Sequence, residues 1–141
     1  MKRVNQHLYV APQPSDADLE KAARAGVRLV VNNRPDGEEA GQPSAAQQRA
    51  RAGSLGMDYV HIPVTSGAVR LEDVRAFQNV VSDAEGPVLA HCRTGARSLT
   101  LFALGEVLDG RLQAQDIDDL GRRMGIDLAG AKKWLEANRQ A

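Results

Sequence analysis

At 141 residues, the chain has the length of one domain and can bury a core without covalent staples. Its 18 basic and 18 acidic residues cancel, which argues against a general nucleic-acid binder with its basic excess. The single cysteine excludes an intrachain disulfide, no signal peptide is expected at the start, and no apolar run approaches the ~20 residues that cross a bilayer, so a cytoplasmic protein without a membrane partner is expected.

Leu8–Val10 reads as a first strand, stopped by Pro12 and Pro14. Ser15 is a good helix N-cap, with Asp18 three residues on and Leu19, Ala22, Ala23 and Val27 at helical spacing before Gly26 ends the segment. Val27–Val31 is a short continuous β-branched run, as expected of a strand covered on both faces. Asn32–Ser44 is loop by composition, with a Pro-Asp-Gly turn signal. Ala45–Leu55 follows as a helix and Asp58–Val64 as a strand. Leu71, Val74, Phe77, Val80 and Val81 mark an amphipathic helix that ends before Gly86. Pro87–Ala90 is the next strand, a largely apolar helix starts near Ser98, and the tail reads as helices over Ala114–Met124 and Leu128–Asn138, separated by Gly125. Strands alternating with helices predict an α/β fold, a central, mostly parallel sheet with helices on both faces. In such sheets ligands sit beyond the carboxyl ends of the strands.

Cys92 follows its strand directly and is therefore expected at that edge. The turn from Cys92 to Ser98 passes through Gly95, where backbone N–H groups can converge on one point. The helix behind it adds unsatisfied amides and a positive dipole end. Arg97 can supply a planar fork for an oxyanion, and the same field favours thiolate over thiol. His91 and Ser98 are placed to hold the sulfur or the loop. Cys92, Arg97 and Ser98 are thus the candidate catalytic residues. Arg93, Thr94, Gly95 and Ala96, together with His91, are the candidate substrate-binding residues, with Arg93 at the rim. The expected ligand is a small anion, and the family resemblances that follow imply a phosphate ester or a sulfane-sulfur donor.

The series His91, Cys92, Gly95, Arg97, Ser98 resembles the active-site loop of cysteine-dependent tyrosine and dual-specificity phosphatases. The whole chain, from "HLYVAPQP" through "VRLVVNNRPDGE" and "YVHIPV" to "HCRTGARS", is more similar to the phosphatase-like domain of the beta-lactamase-hydrolase-like family. That resemblance implies a dual-specificity-phosphatase-like fold and a covalent role for Cys92. In that role the loop amides and Arg97 hold phosphate oxygens, and Ser98 assists breakdown of the intermediate. It also implies sulfide-oxidation proteins as partners. Two departures stand out. Four residues separate Cys92 from Arg97 where classical phosphatases have five, a spacing similar to single-domain rhodaneses, which carry a cysteine persulfide. The general-acid Asp of dual-specificity phosphatases has no counterpart in Thr65, Ser66 and Gly67. Asp36 is the candidate replacement, with Glu38 and Glu39 beside it in the long loop after the second strand.

Three functions follow: a phosphatase-type hydrolase, a sulfurtransferase with a Cys92 persulfide, or a catalytically silent anion-sensing module that binds a partner. No cofactor is expected. The three histidines are scattered without ligand spacing, and no dinucleotide fingerprint is present. His61 reads as a satisfied strand histidine, Arg34 as loop surface, and Trp134 as helix packing.

Overall fold

The computed structural model describes residues 1–138. Strands β1 (Lys2–Arg3), β2 (Leu8–Ala11), β3 (Leu29–Asn32), β4 (Asp58–His61) and β5 (Val88–His91) form one sheet in the order β1-β2-β5-β3-β4. Only the β1–β2 pair is antiparallel. Helices α1 (Asp16–Arg24) and α2 (Ala45–Ser54) cover one face. Helices α3 (Leu71–Asp83), α4 (Ala96–Leu108), α5 (Ile117–Met124) and α6 (Ala129–Ala137) cover the other.

The strand residues divide by their period of two. Leu8, Val10, Leu29, Val31, Val88 and Ala90 pack toward α3 and α4, while Tyr9, Ala11, Val30, Leu89 and Tyr59 pack toward α1 and α2. With both faces covered, β3 and β5 are buried at every position, which is why they read as continuous apolar runs. β5 lies between β2 and β3, and His91 is in register with Ala11 on one side and Asn32 on the other. The residue that follows, Cys92, leaves the sheet at its centre.

Most boundaries agree with the sequence expectation, and the differences have local causes. Ser15 and Ser44 each form a capping box, with Asp18 and Gln47 respectively. Val27 is not in the strand, because its N–H donates to Ala22 O across Gly26 and closes α1. β4 stops at His61, short of Val64, although Ile62 N and Val64 N still donate to Asn32 O and Asn33 O. α4 starts at Ala96 rather than Ser98, because Gly95, with φ of 97°, turns the chain straight into the helix. A tighter turn over Ala114–Asp116 precedes α5. α6 is one residue shorter at each end than expected. β1, only two residues long, carries no sequence signal.

Candidate active site

Cys92 is fully buried at the floor of the turn between β5 and α4. Gly95 N donates to its Sγ at 3.0 Å, a bond that the positive φ of Gly95 makes possible. Arg97 stands in the first turn of α4. Its Nη1 donates to Glu38 Oε2 at 2.7 Å and to Val64 O at 2.8 Å, and its Nη2 to Glu38 Oε1 at 2.9 Å. These bonds take both Nη1 protons and one Nη2 proton. Nε–H and the second Nη2 proton remain, and they are the parallel pair that binds a carboxylate or phosphate in bidentate fashion. The Glu38 contact first, and the neighbouring Cys92 sulfur with it, hold the Arg97 pKa above its ordinary value.

Glu38 bridges two arginines. Its Oε1 also accepts from Arg34 Nε at 2.9 Å. Hydrogen bonding to Arg97, aided by Arg34, lowers its carboxyl from 4.5 to about 2, so it is a fixed anion rather than a proton donor. Arg34, expected on the loop surface, is one of the most buried side chains, at 2% exposure. It donates in addition to Gln13 Oε1 (3.1 Å) and Glu39 Oε1 (3.2 Å). Its backbone is held at both ends, by Asn32 Oδ1 on its N–H and by His61 Nε2 on its carbonyl.

His91 does not reach the pocket as expected of a substrate ligand. Its ring is fully buried, with Nε2 2.9 Å from Gln48 Oε1 and Nδ1 3.3 Å from Cys92 O. Burial lowers its pKa from 6.5 to about 4, so the ring is neutral. Gln48 Oε1 also accepts from Tyr59 OH at 2.7 Å, and Tyr59 OH accepts from Asn32 Nδ2 at 2.8 Å. Burial pushes Tyr59 up to about 12, so it remains a donor. A chain of four buried polar side chains therefore runs from β3 to the residue before the thiol.

Ser98 is buried, and its hydroxyl donates to Asn33 Oδ1 at 2.8 Å. In this arrangement it ties α4 to the loop after β3 instead of donating to the sulfur. Asn33 gathers that edge further, receiving nothing from solvent: its N–H donates to His91 O (2.7 Å) and its Nδ2 to Ile62 O (3.0 Å). Asp36, the expected acid, accepts from Ala45 N at 2.8 Å and serves the start of α2. Arg93 and Thr94 are exposed on the turn, and Ala96 N is 3.4 Å from Thr94 Oγ1. Among the described residues, the amides of Arg93, Thr94, Arg97 and Ser98 have no hydrogen-bond partner, as the first amides of a helix and its preceding turn are left without intrahelical acceptors. No group of three or more metal-ligating side chains occurs among the described residues, and no described helix is long and apolar enough to cross a membrane.

Sequence reasoning missed Asn33, Arg34, Gln48 and Tyr59. A signal existed for the first two, which follow an apolar strand onto the same edge as Cys92. None existed for Gln48, whose helix looks polar and exposed.

A family model for the beta-lactamase hydrolase-like protein, phosphatase-like domain, matches residues 1–109. The chain belongs to this family. A beta-lactamase hydrolase-like protein of Agrobacterium fabrum is 49% identical over 134 residues, 95% of this chain and 31% of that relative. One from Xylella fastidiosa is 41% identical over 133 residues, 94% of this chain and again 31% of its own length. The chain thus spans about a third of the curated relatives it matches. A proposed phosphatase of Neisseria meningitidis is 33% identical, with a TM-score of 0.87, covering 96% of this chain and 95% of that one. TpbA of P. aeruginosa, solved with pTyr, shares the fold at 20% identity and a TM-score of 0.68, over 95% and 88% of the two chains. The fold is that of phosphatases of the tyrosine type. Neither sulfur transfer nor sulfide-oxidation partners find support in these relatives.

Proposed function

We propose that this phosphatase-like domain hydrolyses phosphate monoesters through a covalent Cys92 intermediate. The observation that carries the reading is the joint geometry of Gly95 N on Cys92 Sγ and an Arg97 fork pre-oriented by Glu38 and Val64 O. In the first step the Cys92 thiolate attacks phosphorus, the S–P bond forms, and the ester P–O bond breaks with its electron pair on the leaving oxygen. The free amides of the turn and the two open N–H groups of Arg97 hold the oxygens on which charge gathers. Donors so placed are each worth roughly 10² to 10³ in rate. Water then attacks phosphorus, the S–P bond breaks, and the thiolate returns.

The acid that would protonate a leaving alkoxide is missing from the expected places. The loop after β4 has none, Asp36 is engaged at α2, and Glu38 is ionised between two arginines. Aryl and other low-pKa leaving groups are therefore the favoured class, consistent with the pTyr bound by TpbA. The test is release of nitrophenolate from an aryl phosphate, with intact mass spectrometry of quenched enzyme. Hydrolysis and a trapped phosphoryl adduct, both lost in Cys92→Ser, are expected. Hydrolysis that survives this substitution refutes the reading.

A further inference from the structure

A groove of about 720 Å³ opens from Ala96 and Arg97 and runs between the loop after β4 and α6, with Lys133 and Trp134 on its far wall. One carboxylate lines it, Asp127. The short loop that carries Asp127 rests on the thiol turn: a methyl group placed on Gly95 would lie 3.6 Å from Ile126 Cδ1. The loop is also pinned from below. Ile126 N donates to Gly121 O at 2.9 Å, and a Cβ at Gly121 would stand 2.6 Å from Ile126 O, so only glycine fits there without a shift. Asp127 Oδ1 accepts from Ala129 N at 2.8 Å. Oδ2 has no partner among the described residues, and the side chain is exposed to water.

We propose that Asp127 is the base of the second half-reaction, an inference that rests on the cysteine-dependent hydrolysis proposed above. As a water oxygen bonds to phosphorus in the Cys92 thiophosphate, Asp127 takes one proton from that water. The S–P bond breaks and its electron pair returns to Sγ. Inorganic phosphate leaves, and the proton on Asp127 passes to solvent. The first half-reaction has no comparable helper, so the two halves respond differently to loss of this carboxylate.

Asp127→Asn separates them, because the amide keeps an oxygen for Ala129 N and preserves the start of α6. With an aryl phosphate in stopped flow, the variant is expected to release one nitrophenolate per Cys92 at the wild-type burst rate. Steady turnover should then fall roughly 10²-fold, the scale of general-base assistance, and the phosphorylated enzyme should accumulate by intact mass. Wild-type turnover without accumulation overturns the assignment, and so does a burst slowed as much as the steady rate. If wild-type protein releases no nitrophenolate, or releases it independently of Cys92, the hydrolase reading itself fails and this step falls with it.

Discussion

Replacing Glu38 by Gln removes one charge from the centre of the Arg34–Glu38–Arg97 cluster at almost constant shape. The carboxyl group lies at about 2 in the folded protein, against 4.5 for the ordinary group. A displacement of that size corresponds by linkage to ~3 kcal/mol of stability. The side chain is 25% exposed, so solvent screens part of this and ~1–2 kcal/mol is expected. Because the folded value is depressed, the contribution is complete above pH 4.5 and fades as pH falls toward 2. Roughly two fifths of it remains at pH 3. Urea unfolding followed by the fluorescence of the single tryptophan, Trp134, should show Glu38→Gln less stable than wild type by ~1–2 kcal/mol at pH 7, with a gap less than half as large at pH 3. Every other carboxylate titrates in both proteins and largely cancels in the difference. Equal gaps at pH 7 and pH 3, or no gap at pH 7, would refute the charge-based account of this cluster.

Two further substitutions probe the supports of the thiol turn. Gln48→Leu leaves His91 Nε2–H and Tyr59 O–H buried without an acceptor. It should cost ~2–3 kcal/mol in urea unfolding, and a change below ~0.5 kcal/mol would show that the buried chain carries little energy. Gly95→Ala meets no steric obstacle, its nearest contact being 3.5 Å from Ala11 backbone, but it forces a side chain onto a φ of 97°. A loss of ~1–2 kcal/mol should accompany a fall in aryl phosphate hydrolysis as Gly95 N swings off Cys92 Sγ. Full activity in this variant would separate that bond from catalysis.

The elements were legible wherever their signals are local. Ser15 announces a helix start through a side chain that reaches only three residues along, and the apolar runs of β3 and β5 report burial on both faces. The place of Cys92 at the carboxyl edge of the sheet followed from the alternation of strands and helices alone, whereas the central place of its strand comes from the pairing order. The polar supports were not legible, because each is defined by a partner far along the chain. Gln48 meets His91 across 43 residues, Glu38 meets Arg97 across 59, and Ser98 meets Asn33 across 65. Composition cannot say which of Asp36, Glu38 and Glu39 reaches Arg97. That choice is made by the path of the loop, which turns Asp36 toward Ala45 and Glu38 toward α4.

The four-residue spacing between Cys92 and Arg97 acquires a physical reading from the helix start. Side chains of an α-helix lean back toward its N-terminus. Gly95 begins α4 at Ala96, so Arg97 is the second helical residue and its guanidinium leans back over the thiol turn. A residue fewer in the turn therefore does not cost the site its arginine. What it removes is a backbone donor. Of the four amides between the two residues, Gly95 N is engaged by the sulfur and Ala96 N approaches Thr94 Oγ1, which leaves those of Arg93 and Thr94 to be supplemented by Arg97 and Ser98 from the helix. In the proposed hydrolysis, a shortened ring of amides shifts the burden of holding an oxyanion onto the guanidinium. The elaborate fixing of Arg97, by a carboxylate itself anchored on the buried Arg34, is what such a shift requires.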